Sequence, residues 1–388
     1  MYPQTPFRIS VKTLQNLEEV LAAEMAALQV SQIEIGRRVV HCVGDMADVY
    51  KLNLHLRTAL RVLIPVMEFP IREPDDIHKQ AIKHDWTQYL SVDETFAIDP
   101  NVNSEFIRHS NYASVKLKDA IADCFRNKYN RRPDVDADSP HVLFHLHVDQ
   151  HRVTIALDSS GSTLNRRGYR NKGARAPINE VLAAGMLMLT EWRGECDFYD
   201  PMCGSGTLAI EAAMIAANMP AQSFRNDFGF MHWNSFDKAL WSKTKSEATK
   251  NIRPMPCKIY ASDADKWQLR STQDNIENTG FEEEIKVELL DFFERKPIGE
   301  KGIIVMNPPY GERMDEGNME ILYKNIGDHL KHHWPGYSAW LISSNEEAIK
   351  KIGLKPSKKI PLINGTLPCK FIRIDLFAGK RADWKTKQ

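Results

Sequence analysis

The 388-residue sequence has no net charge, with 51 Lys and Arg against 51 Asp and Glu. That balance excludes a broadly basic coat for indiscriminate nucleic-acid binding, so a polyanion has to be met by local patches. A basic-then-apolar leader, an apolar run of spanning length, low-complexity tracts and internal repeats are all missing, and the cytoplasm is the expected location. Cysteine is sparse. Cys42, Cys124, Cys196, Cys203, Cys257 and Cys369 are scattered without a CxxC pair, against both a zinc module and a disulfide framework, and no metal is expected. The length suits two or three domains, and 43% hydrophobic residues suffice for ordinary cores.

Two segments about a hundred residues apart carry the chemistry. Gly302-Ile303-Ile304-Val305-Met306 is an apolar run of strand length, followed by Asn307-Pro308-Pro309-Tyr310. Consecutive prolines remove two backbone donors and fix two φ angles, so this strand end presents acceptors with little freedom to move. The Asn307 side-chain oxygen and the Pro308 carbonyl can accept both N–H bonds of a planar nucleobase amine and turn its lone pair toward an electrophile. Tyr310 offers a flat face on which an extruded base can stack. A rigid loop with a surface tyrosine is the plainer alternative.

The earlier segment begins at the short strand Cys196-Asp197-Phe198-Tyr199 and runs through Asp200-Pro201-Met202-Cys203-Gly204-Ser205-Gly206-Thr207 into a helix pattern over Leu208–Ala217. Gly204-x-Gly206-x-x-Ala209 also satisfies a dinucleotide fingerprint. Asp200 beside the glycines would repel a diphosphate, however, and suits the sulfonium and ammonium of S-adenosylmethionine. Asp263 ends a second strand pattern, Ile259–Asp263, where it can accept from ribose hydroxyls. Asp291 follows a third, Ile285–Leu290, and can accept from an adenine amine with Phe292 against the ring. Singly each acid also suits a helix cap, and Asp265 competes with Asp263 for that role. Together they end successive strands in the order a doubly wound sheet needs. Cys203 reads as a small cofactor-wall residue, since no nearby histidine activates it.

Phe7–Val11, Leu14–Leu28, Ile33–Val43, Asp45–Leu56 and Ala59–Phe69 alternate strand and helix patterns in a ferredoxin-like βαββαβ order. A net-positive stretch follows, with Arg108, Lys116, Lys118, Arg126, Lys128, Arg131 and Arg132. A second cluster, Arg166, Arg167, Arg170, Lys172 and Arg175 with Tyr169 between, contains no acid and suits phosphate contact with base stacking. The alternatives are a solvated helix face and an interdomain linker. In His141–Val148, histidine and apolar residues alternate, which predicts a strand with an exposed polar face. Phe224, Phe228, Phe230, Trp233, Phe236 and Trp241 mark an insertion that either packs on the sheet or lines a channel.

Asp200–Ala213, Asn307–Met314 and Arg166-Arg167-Gly168-Tyr169-Arg170 resemble the class I methyltransferases with an N-terminal THUMP domain, those similar to the 23S rRNA guanine-N2 enzymes. Ser104–Asp136 resembles the THUMP segment, and Ala176-Pro177-Ile178-Asn179-Glu180 the family's motif before the glycine loop. The resemblance implies an α/β fold: a class I, Rossmann-like sheet with helices on both faces, preceded by ferredoxin-like and THUMP α+β domains. Expected boundaries are 1–69 (ferredoxin-like), 70–160 (THUMP), 161–176 (basic linker) and 177–388 (methyltransferase), in a form with a single methyltransferase domain. The implied function is methyl transfer from S-adenosylmethionine to N2 of a guanine in 23S rRNA, or in a ribosomal precursor. Asn307, Pro308, Pro309 and Tyr310 would be catalytic. Asp200, Cys203, Gly204, Gly206, Thr207, Asp263, Asp291 and Phe292 would bind cofactor, and Lys116, Lys118, Arg131, Arg132, Arg166, Arg167, Tyr169 and Arg170 would bind RNA. Rival readings are tRNA guanine-N2 methylation, adenine-N6 methylation, and a noncatalytic RNA-binding protein.

Overall fold

In the computed structural model, which describes residues 6–105, 107, 109–170, 177–310 and 315–377, the chain divides into two units. Arg108, Lys172, Arg175, Ala176 and Met314, named above, lie outside the described residues. The first unit gathers described residues of Met1–Thr13, Leu21–Leu164 and Arg225–Glu247. The second gathers those of Leu14–Val20, Asn165–Phe224 and Ala248–Gln388.

Strands β1 (Phe7–Thr13), β2 (Ser31–Gly36), β3 (Val39–Gly44) and β4 (Ala59–Pro70) alternate with helices α1 (Glu18–Ala27) and α2 (Met46–His55) in the expected order. Asp45 starts α2 with a capping box, accepting from the Ala47 and Asp48 amides while Asp48 accepts from its own. The strands lie in the order β2-β3-β1-β4, and β4 then pairs antiparallel with a later strand, so the sheet does not stop there. After α3 (Asp76–Ala81), strand β5 (Thr95–Asn103), helix α4 (Ser110–Tyr129), and strands β6 (Asp134–Val135), β7 (Val142–Asp149) and β8 (Arg152–Asp158) complete an eight-stranded sheet ordered β2-β3-β1-β4-β8-β7-β5-β6.

Strand β7 corrects one expectation. Val142, Phe144, Leu146 and Val148 are buried as the alternation predicts, but His145 on the opposite face is only 7% exposed. The strand is internal, between β8 and β5, and its polar face meets charged neighbours instead of open solvent. Asp99 lies 3.6 Å from His145 and 3.2 Å from Arg61, and Arg61 also pairs with the buried Asp158. Alternation reports polarity, and only the position of the strand in the sheet decides exposure.

The second unit is built from α5 (Glu180–Leu189), β9 (Asp197–Asp200), α6 (Thr207–Ala216), β10 (Ile259–Asp263), α8 (Lys266–Glu277), β11 (Ile285–Leu289), β12 (Gly302–Met306), α9 (Glu316–His333), β13 (Ser338–Ser343), α10 (Glu346–Lys351), β14 (Lys358–Asn364) and β15 (Leu367–Asp375), with α7 (Lys238–Lys250) intervening. Its sheet runs β11-β10-β9-β12-β13-β15-β14, parallel through β13 and closed by an antiparallel hairpin. All five β12 residues are buried, as an apolar run between covered faces should be. Succession proceeds from β9 toward β11 on one side and resumes at β12 on the other. The crevice therefore opens beyond the carboxyl ends of β9 and β12, where the two motif segments begin.

The aromatic insertion belongs to packing. Tyr50 on α2 stacks among Phe230, Phe236 and Trp241 with ring centroids 4.5, 6.1 and 5.9 Å away, all within the first unit. Phe144, fully buried, meets Trp86 edge-on at 5.3 Å and Phe96 at 6.3 Å. Phe144→Ala should lower stability by about 3–5 kcal/mol, read as a shift of the urea midpoint for the transition that reports on this unit.

Candidate active site

After β9 the chain turns through Pro201–Gly206 into α6. Gly204 and Gly206 adopt φ values of 55° and 79°, the left-handed region where a side chain is strained. At Gly206 a Cβ would also fall 2.8 Å from the Thr272 side chain. The loop is gripped from neighbouring strands and helices. The Gly204 amide donates to Asp263 at 2.9 Å, the Thr272 hydroxyl to the Gly204 carbonyl at 2.6 Å, and the Asn275 amide to the Ser205 carbonyl at 2.9 Å. Thr272 and Asn275 lie three residues apart on α8 and so share one face. Asp265, not Asp263, caps that helix, accepting from the Trp267 amide at 2.8 Å.

Beyond the loop opens a cavity of about 750 Å³, lined entirely by residues of the second unit. Its walls include Cys203, Gly204, Thr207, Asp263, Asp291, Phe292, Asn307 and Pro309, so most of the expected cofactor and catalytic residues meet at one space. Phe293, Gln268, Leu322, Pro177 and Ile178 join them without having been singled out as site residues. Phe293, adjacent to Phe292, was the one with a local signal. The described walls carry three carboxylates, Asp263, Asp265 and Asp291, and no lysine or arginine. That suits a cationic ligand bearing hydroxyl and amine donors, and it opposes the diphosphate of a dinucleotide. The volume is ordinary for a site holding a nucleoside-sized ligand.

Asp200 departs from the expected role of direct contact. It is fully buried and does not line the cavity. Burial, reinforced by the charge of Asp263, pushes its carboxyl well above the usual carboxylate range, against weaker backbone contributions from Ala209 and Met202. Burial likewise pushes the Cys203 thiol well up, with Asp200 adding to the rise, so Cys203 is a wall residue held as a neutral thiol.

The Asn307–Tyr310 turn is fixed from two sides. The Tyr323 hydroxyl of α9 donates to the Pro309 carbonyl at 3.4 Å and lies 2.8 Å from the Ser343 hydroxyl, from which it can accept. Asn364, at the end of β14, donates to the Tyr310 hydroxyl at 2.6 Å. Tyr310 is therefore 5% exposed and, like Pro308, outside the cavity wall, so the expected open stacking face is not presented here. The aromatics of the described wall are the buried Phe292 and the more exposed Phe293. The Asn307 side-chain oxygen is buried and without a hydrogen-bond partner.

The second basic cluster corrects the sequence expectation most strongly. Among its described cations only Arg166 is exposed. Arg167 and Tyr169 are each 1% exposed, and both engage Glu211 of α6, with Arg167 Nε 3.1 Å from its carboxylate. Arg170 donates to Glu180, Ser205 and Thr207 at 2.8, 3.0 and 2.8 Å. Arg170 thus braces the glycine loop while Arg167 and Tyr169 anchor on the helix after it, so these side chains are turned to carboxylates and hydroxyls inside the second unit. In the first unit, Lys116, Lys118 and Arg131 are paired with Asp75, Asp119 and Asp93 at 2.6, 3.5 and 2.8 Å, while Arg132 is exposed. Among the described residues no group of three or more His, Cys, Asp or Glu is arranged to hold a metal, and no helix is long and apolar enough to cross a membrane.

Residues 167–373 match the family described as RMKL-like, methyltransferase domain; residues 72–158 match the THUMP domain and residues 8–63 the RlmL ferredoxin-like domain. A protein of Synechocystis sp., provisionally named an RNA methyltransferase, is 32% identical over 365 residues, covering 94% of this chain and 95% of that one. The ribosomal RNA large subunit methyltransferase K/L of Syntrophotalea carbinolica is 33% identical over 385 residues, covering 96% of this chain and 54% of its own. The chain thus spans about half the length of that K/L relative. A solved structure of a provisionally assigned methyltransferase complexed with SAH superposes with a TM-score of 0.88 at 27% identity, covering 97% of this chain and all of the other.

Asp200 generates a pH prediction. A carboxyl whose folded pKa is raised is protonated in both states at low pH. Between its unfolded and folded values only the folded state holds the proton, so stability falls as pH rises through that window. Asp200→Asn removes this loss. Thermal melts of the ligand-free protein should show the variant more stable than the parent at neutral pH, with the gap closing below the ordinary carboxylate range. A variant less stable at neutral pH would contradict the assignment.

Proposed function

The chain belongs to the RMKL-like methyltransferase family, and we propose that it methylates the exocyclic N2 of a guanine in large-subunit ribosomal RNA. The cofactor is S-adenosylmethionine, which when bound supplies a methyl group already activated on a sulfonium. The observation that carries the proposal is the partnerless Asn307 side-chain oxygen in the wall of a cavity with acidic lining. A buried acceptor left unpaired costs about 1–3 kcal/mol, and an incoming amine N–H relieves that.

Each part of the wall then has a task. Asp263 and Asp291 supply acceptors for hydroxyl and amino groups, and Phe292 supplies an apolar face. Asp263 is already oriented by the Gly204 and Asp265 amides, each at 2.9 Å, so its remaining lone pairs point in fixed directions. Asn307 orients the target amine, with the Pro308 carbonyl as the second acceptor, while the clamped Pro309 keeps the turn from relaxing. Phe293 is the exposed aromatic available to the base. With the methyl group already activated, the protein's contribution is proximity and preorganised hydrogen bonding. The proton released from nitrogen passes to water.

RNA capture falls to the first unit and to Arg166. The ion pairs at Lys116, Lys118 and Arg131 are surface pairs that solvent screens, so phosphates can replace the carboxylates. Relatives named for large-subunit rRNA and the THUMP match favour rRNA over tRNA or DNA. The chain's resemblance to roughly half of the K/L relative makes the choice of nucleotide a matter for direct measurement.

Asn307→Ala should lower turnover by about 10²–10³-fold, the usual effect of removing one preorganised hydrogen-bonding group, while SAH affinity by calorimetry stays close to that of the parent. Equal losses in both would refute the orienting role. Methyl transfer to unmodified rRNA, tRNA and DNA, followed by nucleoside mass spectrometry, should yield N2-methylguanosine from rRNA. N6-methyladenosine, or tRNA as the preferred acceptor, would replace the proposal.

A further inference from the structure

Arg170 lies outside the cavity wall, yet its guanidinium joins two stretches of that wall. On one side it donates to Glu180, the first residue of α5, immediately after Pro177 and Ile178 in the wall and the Asn179 cap. On the other it donates to the hydroxyls of Ser205 in the glycine loop and Thr207, the first residue of α6, both in the wall. A cation at a helix N-terminus is electrostatically misplaced, because the exposed amides there carry partial positive charge. Glu180, well placed at the start of its own helix, offsets the misplacement.

Arg170 is itself held. Arg167 and Tyr169 anchor the preceding chain on Glu211, and Asn278, which caps the end of α8, donates to the Tyr169 carbonyl at 2.9 Å. Three helices, α5, α6 and α8, thus converge on one short segment. Arginine suits the task because its planar fork reaches several acceptors with fixed angles between them, which a lysine ammonium does not reproduce.

We propose that Arg170 is a positioning residue for the cofactor, setting the spacing between the Pro177–Ile178 wall and the glycine loop. The proposal rests on the cofactor reading above but not on the identity of the methylated base.

The test is SAH titration calorimetry on the full chain, with methyl-transfer kinetics and ligand-free melting temperatures alongside. Arg170→Ala should weaken SAH binding about tenfold and raise KM for S-adenosylmethionine in step, the loss expected from misaligned charge-assisted contacts. Its kcat should stay within about threefold of the parent, the pattern of lost binding with chemistry intact. Arg170→Lys should recover only part of the affinity, and methylguanidinium added to Arg170→Ala should restore more. A folded Arg170→Ala with parental SAH affinity overturns the proposal. So does a parallel fall in melting temperature, affinity and kcat that methylguanidinium does not reverse. Should Arg170→Ala fail to fold, Arg170→Lys decides alone, and parental affinity there overturns the proposal as well. A parent protein that does not bind SAH removes the cofactor reading itself and this proposal with it.

Discussion

The glycine loop after β9 turns through two residues that have no side chain, and the cavity depends on what grips it from outside. Two left-handed glycines let the backbone turn tightly, but that freedom has to be removed again before the loop can orient a ligand. Asp263, Thr272, Asn275 and Arg170 remove it through bonds to the backbone or hydroxyls of the loop. The second turn, at Asn307, solves the same problem in the opposite way. There proline rings restrict the chain from within, and Tyr323 and Asn364 need only pin its far side.

Between these turns the electrostatics are one-sided. Three aspartates face the cavity without a counter-cation among the described walls, and a fourth, Asp200, is sealed behind it. Like charges gathered around one cavity repel each other, and a cationic ligand offsets that repulsion. Asn307 adds a neutral acceptor in the same unsatisfied state. Ligand binding and stability of the second unit are therefore linked, since groups that are costly without a ligand become its contacts.

The order of strands and helices was legible in the sequence because periodicity and turn chemistry report local structure directly. The βαββαβ order, the buried β12 run and the glycine turn all follow from neighbours within a few residues. So did the meeting of Asp263, Asp291, Phe292 and Asn307, because a doubly wound sheet brings successive strand ends to one edge. Burial was not legible. Tyr310 looked like an open ring until Asn364, 54 residues on, claimed its hydroxyl. His145 and His147 looked solvated until β7 proved to be an internal strand. Phe293 entered the wall beside Phe292 through the path of a short turn after β11, which no periodicity encodes.

The Arg166–Arg170 segment shows why a run of cations is weak evidence of a surface. Locally it has no acid, so composition alone makes it basic and outward-facing. Its acids lie elsewhere in sequence, at Glu180 and Glu211, and the fold brings them underneath. Removing one member of a buried pair leaves the other charged and unpaired, so such pairs tie distant segments strongly together even when they add little net stability. Arginine with tyrosine is thus an ambiguous signature: the same groups that stack on a base and grip a phosphate can close over a carboxylate inside the protein. What separates the cases is whether helical patterns nearby place a glutamate on a buried face. Glu211 sits within Leu208–Ala217, where every other residue is apolar. A lone acid in an apolar helix needs a partner, and the fold supplies Arg167.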